Sequence, residues 1–177
     1  MLRQRPLREL TVDELMRRTQ LSRPSFYVYF RDRHELVLRL MEDIGAELFA
    51  MSERWYKGTG DGPALIREAI EGVVSVYAAH GPVMRAIADA AVEDRRVEEA
   101  YATLIERFEE ATARHIEQEV AAGRVLPLDP SQTATALTWM MERYLLLSFG
   151  RAEGTPPEQA VEVLTTIWSR VLYGPGD

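Results

Sequence analysis

Apolar positions recur at helical spacing along almost the whole chain. Between Thr11 and Phe30 two short periodic segments follow one another: Val12, Leu15 and Met16 form the inner face of the first, and Phe26 and Phe30, at i and i+4, that of the second. Thr11 followed by Glu14 has the spacing of a capping box, in which a hydroxyl accepts from the backbone and a carboxylate reaches back. Thr19, Gln20 and Leu21 leave room only for a tight turn before Ser22, which caps a second helix carrying Arg23 and Pro24 in its first turn. Asp32 and Glu35 repeat the capping-box spacing and open a longer helix. The same period predicts helices over 32–55, 63–79, 82–90, 94–122, 130–149 and 156–173, with Gly and Pro between them and no alternating strand pattern. The predicted fold class is all-α.

With Phe26 and Phe30 turned inward, Arg23, Ser25, Tyr27 and Tyr29 lie on or beside the outward face of the second short helix. A guanidinium and several hydroxyls are thereby placed where they can meet phosphates and base edges in a major groove. The run LTVDELMRRTQLSRPSFYVYFRDRHELV resembles the DNA-binding domain of TetR-family transcriptional repressors, ungapped over nearly thirty residues. The resemblance implies a helix-turn-helix domain over residues 1–44 and a helical ligand-binding and dimerisation domain over 45–177. It places the DNA contacts on Thr11, Arg23, Pro24, Ser25, Tyr27, Tyr29 and Arg33, with double-stranded DNA carrying a palindromic operator as partner.

Family members carry a full helix before this run. The ten residues MLRQRPLREL, with Pro6 among them, cannot supply three turns, so Leu15, Leu21 and Phe26 are expected to lack part of their cover. Losing the burial of two or three such side chains costs roughly 3–9 kcal/mol, comparable to a domain's stability. The chain as written is therefore expected to bind DNA weakly unless something replaces that helix.

The last two helices are apolar on more than one side. Leu137, Met141, Leu145 and Phe149 share one face of the first, with Met140, Tyr144, Leu147 and Ser148 opposite, and Leu164, Ile167 and Val171 continue the pattern in the second. A helix apolar all round touches more than its own core, and Met140, Tyr144, Leu147, Leu164, Ile167 and Val171 are read as the interface of a homodimer built as a four-helix bundle. A terminal hairpin packed only on its own chain is the alternative. The segments WMMERYLLLSFG and VLTTIWSRVLYG resemble the C-terminal pair of the TetR-family subgroup that includes the mycobacterial repressor of ethionamide activation. That resemblance implies an apolar tunnel accepting a small hydrophobic effector, lined by Ile66, Ile70, Val73, Tyr77, Tyr101, Ile105, Phe108, Thr112, Thr138, Met141, Glu142, Leu145 and Trp168. Where that repressor has two asparagines on the pocket helix, this chain has Thr138 and Met141. Without the resemblance, these residues read first of all as core, although Tyr, Thr, Trp and Glu among aliphatics suit an apolar site with a few orienting groups.

A net charge of −7 argues against nucleic acid until its distribution is considered. Residues 1–33 hold eight Arg against Glu9, Asp13, Glu14 and Asp32, whereas the remainder carries 13 Lys and Arg against 24 Asp and Glu. An acidic body behind a basic head favours one docking orientation. With no cysteine, no signal peptide and no apolar run near the roughly 20 residues of a membrane span, the cytoplasm is the expected compartment. The GTGDGP stretch at 58–63 reads as a turn, since no strand precedes it and no Lys-Ser or Lys-Thr follows. His34, His80 and His115 are scattered; His115 with Glu119 reads as a solvated helix face, and no metal or cofactor is expected. Paired acids such as Glu98 and Glu99 or Glu109 and Glu110 cannot both face one cavity, and no nucleophile elbow or nucleotide-binding loop occurs, so the chain is not read as an enzyme. The function predicted is a ligand-responsive repressor. A helical sensor or interaction module without DNA binding is the alternative, and an activator shares every residue cited.

Overall fold

The computed structural model describes residues 2, 5–20, 22–58, 60–151 and 154–174. Among them a 3-10 turn at Leu7–Glu9 precedes seven helices: α1 Val12–Thr19, α2 Arg23–Tyr29, α3 Arg33–Lys57, α4 Gly62–Ala91, α5 Arg95–Ala121, α6 Pro130–Phe149 and α7 Pro157–Tyr173. No strand occurs among the described residues.

Helix starts follow the caps. The Thr11 hydroxyl accepts the Glu14 N–H at 3.2 Å while the Glu14 carboxylate accepts the Thr11 N–H at 2.9 Å, and Ser22 accepts the Ser25 N–H at 3.3 Å. Between them Gln20 turns the chain in the left-handed region at φ 58°; Leu21 lies outside the described residues. The second capping box differs from expectation. Asp32 accepts the His34 and Glu35 N–H groups at 2.9 Å, but the Glu35 carboxylate reaches past Asp32 to the Arg31 N–H at 2.7 Å. The Arg31 guanidinium, 3.1 Å from the same oxygen, draws it outward by one residue.

No long helix precedes Thr11 among the described residues. Pro6 caps the 3-10 turn, which buries Leu7 against the main core and Leu10 beside it. Phe26 is only 2% exposed, with the Tyr27 and Phe30 rings at 5.4 and 5.3 Å, so it does not lack cover. The shortfall falls on α1, where Val12, Leu15 and Met16 are half-buried and nothing is fully buried. The division expected at residue 44 lies inside α3, which runs unbroken from head to body.

Helix α4 packs against α3, α5, α6, α7 and the 3-10 turn. The two helices expected over 63–79 and 82–90 are one, because Pro82 sits inside α4 without ending it. An interior proline costs about 3 kcal/mol. Burial of Val74, Val76, Tyr77, Met84 and Ile87 on either side, at roughly 1.5–3 kcal/mol for each large side chain, outweighs that loss. Beside it, a Cβ on Gly81 would overlap the Phe149 carbonyl, so glycine here lets α6 cross α4 at backbone contact.

One residue of the expected dimer face is corrected. Leu164 is 1% exposed and belongs to the core, because Val161, Leu164, Trp168 and Leu172 form the stripe by which α7 meets α4. Ser148 is also buried, its hydroxyl accepting from Thr155 at 3.2 Å. Outward-facing apolar residues of the pair are Leu147, 60% exposed, with Trp139 and Val163, while Met140, Tyr144, Ile167 and Val171 are half-buried. Replacing Gly81 with Ala should destabilise the chain by about 1–3 kcal/mol through overpacking at the α4–α6 crossing. Urea unfolding followed by circular dichroism checks this; an unchanged midpoint would mean the crossing can open.

Candidate functional site

Helix α2 presents a short polar surface. Pro24 occupies the first turn, where a missing N–H is harmless, and Arg23 projects with its guanidinium 5.7 Å above the Tyr27 ring and 3.2 Å from Asp13 of α1. Tyr29 is 75% exposed, and Val28, absent from the expected set, is equally open. Ser25 is half-buried, its hydroxyl 2.8 Å from that of Ser22. The structure therefore gathers Arg23, Pro24, Ser25, Tyr27 and Tyr29 on one short helix.

Thr11 and Arg33 stand apart from that group. The Thr11 hydroxyl and N–H are both engaged with Glu14. Arg33 donates to the Arg8 carbonyl at 3.0 Å and lies 3.5 Å from Glu93 at the end of α4, so its guanidinium is turned toward the body. Next to it Arg96 donates to Asp32 at 3.0 Å and to Asp94 at 2.8 Å, joining the carboxylates that cap α3 and α5. Asp94 also stands 3.1 Å from His34. Arg96 holds the Asp94 carboxyl well below the usual carboxylate range; Asp32 is lowered too, the Glu35 N–H and Arg96 prevailing over partial burial. This charged seam joins the N-terminal helices to the α4–α5 corner, beside the apolar contact that Leu7 makes with the core.

Behind the corner lies a mostly apolar cavity walled by α3, α4, α5, α6 and α7. All thirteen residues expected to line a pocket line this one: Ile66, Ile70, Val73 and Tyr77 from α4; Tyr101, Ile105, Phe108 and Thr112 from α5; Thr138, Met141, Glu142 and Leu145 from α6; Trp168 from α7. Sequence reasoning missed Leu48, Ser52, Trp55 and Tyr56 on α3, and Ala69, Met84 and Leu104. The buried Ser52, inside an otherwise apolar stripe of α3, was the available signal.

Polar groups in the wall are few. Tyr101 donates to Glu142 at 2.5 Å, and the Tyr56 and Thr112 hydroxyls are 3.5 Å apart. Burial first, then the Glu142 charge, pushes the Tyr77 hydroxyl up, and the same two causes with the hydrogen bond raise Tyr101; burial raises Tyr56 as well. All three remain neutral phenols.

His115 and Glu119 do not form a solvated face. His115 is 4% exposed and packs on Trp55 at 4.4 Å, burial pushing its pKa down, while Glu119 is buried and held by Arg124 at 2.5 and 2.9 Å. Trp55 and Arg124 cover this side of α5, which the sequence period alone could not indicate. Among the described residues no three His, Asp or Glu side chains are grouped to hold a metal ion.

Residues 1–40 match the family described as bacterial regulatory proteins of the tetR family, and residues 66–174 match the C-terminal domain of the transcriptional regulator EthR. The HTH-type transcriptional regulator EthR of Mycobacterium tuberculosis H37Rv is 30% identical over 180 aligned residues, covering 98% of this chain and 82% of that protein. The EthR of Mycolicibacterium smegmatis is 28% identical, covering 94% and 78%. Among solved structures, the TetR-family regulator PfmR of Thermus thermophilus superposes with a TM-score of 0.77 at 17% identity, covering 96% of this chain and 91% of its own. AibR, crystallised with isovaleryl coenzyme A and operator DNA, gives 0.70 at 11% identity, covering 96% and 90%.

The cap of α1 has a testable pH dependence. The Thr11 N–H, then the Arg5 guanidinium and Thr11 hydroxyl, hold the Glu14 carboxyl down to about 2 from an ordinary 4.5. A carboxyl lowered on folding stabilises above its unfolded pKa, so this contribution is complete above pH 4.5 and lost as pH falls toward about 2. NMR chemical shifts of α1 should report fraying across that window, and Glu14→Gln should abolish the dependence. A flat profile in the unaltered chain would contradict the cap's role.

Proposed function

The chain belongs to the TetR family of transcriptional regulators, with an EthR-type C-terminal domain, and we propose that it is a ligand-responsive repressor that binds a palindromic operator as a homodimer and is released by a small hydrophobic effector. The observation that carries this reading is that the cavity and the reading head share helices. Leu48, Ser52, Trp55 and Tyr56 of α3 line the cavity, and the same helix starts at the Asp32 cap against the head. Tyr101 and Leu104 of α5 line it too, one to two turns beyond Arg96 in the charged seam. An effector favouring the arrangement that does not fit the operator tilts α3 and separates the two heads of the dimer; only its difference in affinity for the two arrangements shifts the population. The coupling expected is about 1–3 kcal/mol.

In this reading Arg23 and Ser25 address base edges, Tyr27 and Tyr29 hold phosphates, and Thr11 and Pro24 approach the backbone. Arg33 joins them once it leaves Glu93. Trp139, Met140, Tyr144 and Leu147 of α6, with Val163, Ile167 and Val171 of α7, form the two-fold interface. The protein works in the cytoplasm, where its DNA is; no helix among the described residues is long and apolar enough to cross a membrane.

Selection from random duplex DNA should enrich a two-fold symmetric sequence with half-sites one helical turn, or a multiple of it, apart. Arg23→Ala should relax preference at one position per half-site and cost roughly 1–3 kcal/mol, whereas Tyr29→Phe should weaken binding about equally on all sequences. The reverse pattern would exchange their roles, and no enrichment at all would leave a ligand-binding helical dimer without DNA reading. Leu147→Glu should convert dimer to monomer in analytical ultracentrifugation with helicity retained, and abolish operator binding. A dimer that persists would place the interface elsewhere.

A further inference from the structure

Among the described residues lining the cavity Glu142 is the one formally charged, and it is 5% exposed. Its two oxygens are treated differently. Oε1 accepts the Tyr101 hydroxyl, while Oε2 is buried with no hydrogen-bond partner. The nearest cation, Arg143, stands 3.8 Å from Oε2, beyond hydrogen-bonding distance, on a side chain that is 60% exposed and faces outward. Tyr77, close enough for the Glu142 charge to raise its hydroxyl, brings no hydrogen bond to that oxygen. A buried carboxylate oxygen without a donor is costly, and such atoms in a folded chain call for an explanation.

The geometry points to an effector that is a hydrophobic amine, its protonated nitrogen donating to Glu142 Oε2 and its apolar body lying along Ile70, Val73, Phe108, Met141 and Leu145. The inference rests on the ligand-responsive reading and narrows its ligand class. An ammonium entering the cavity loses its hydration but meets an acceptor already stripped of water, so the attraction is not spent on desolvating a second partner. A neutral amide or ester of the same length leaves Oε2 bare or bonds it more weakly, and a fatty acid brings a second negative charge beside it. Among the described residues no Asn or Gln lines the cavity to receive a carbonyl, and the Glu142 carboxylate selects a donor.

The test uses the 177-residue chain and three probes of one length, below their micelle concentrations: dodecylamine, N-acetyldodecylamine and dodecanoate. Binding is read by quenching of Trp55 and Trp168, both in the cavity wall. Dodecylamine should bind at least about tenfold more tightly than its uncharged acetyl derivative, with dodecanoate weakest. Glu142→Gln, shown folded by its helicity and melting temperature, should reduce the preference below about twofold while the acetyl derivative keeps its affinity. Equal affinity of amine and acetyl derivative for the unaltered chain, or a preference that survives in Glu142→Gln, overturns the inference. Should that variant not fold, the probe comparison on the unaltered chain decides alone. Release of operator DNA by the acetyl derivative without any amine preference would sink this inference and leave the ligand-responsive reading standing; failure of all three probes to bind would overturn both.

Discussion

Helix α4 can touch four other helices at once only where it is thin. Gly81 lets the backbone of α6 come to the helix surface at Phe149, and Gly72 does the same for Met51 of α3, where a Cβ would lie 2.8 Å from that residue's own. The large residues of α4, from Ile66 to Met84, then have to be accommodated between these close approaches. Aliphatic and aromatic walls held apart at some levels and in backbone contact at others produce a core with an internal space rather than a solid one. The tightness of the crossings and the cavity are thus two results of one packing arrangement.

The reading head is joined to this body by the continuous α3 and the buried Leu7, and beside them by a charged seam. Individual ion pairs as exposed as those of Arg96 contribute little to stability, typically under about 1 kcal/mol. Their value lies in direction. Arg96 joins the caps of two helices that both line the cavity, and Arg33 ties the start of α3 to the Arg8 carbonyl and the end of α4. A seam that is weak in energy but specific in geometry can adopt a second register without unfolding either part, which a greasy interface could not do as easily.

Much of this was legible in the sequence, and for identifiable reasons. Caps at Thr11 and Ser22 are local, so their side chains could be read from spacing alone; the thirteen positions on α4 to α7 that converge on one space were implied by the family resemblance, the residues alone reading first as core. Three kinds of feature were not legible. Pro82 reads as a helix end because its local cost is visible while the burial that outweighs it is not. The inner stripe of α3 and the burial of His115 depend on which helices cover them. Leu164 and Ser148 fall on an apolar helix pair whose every side is greasy, so the pattern could not say which residues face α4 and which face outward. The same holds at Glu35, where an arginine one residue upstream redirects a carboxylate that the spacing had assigned to a cap.

Two of the arginines nearest the reading surface already have anionic company: Arg23 lies against Asp13 and Arg33 against Glu93. Binding of an ordinary basic surface to DNA is driven by small cations leaving the phosphates, and its salt dependence counts the contacts made. In the proposed complex each arginine would exchange a carboxylate for a phosphate, and the freed carboxylate would gather cations of its own. The resulting salt slope is shallower than a count of arginines suggests. In that proposed complex, casual sites offering charge without shape compete poorly with the protein's own acids, which favours a sequence that also engages the tyrosines.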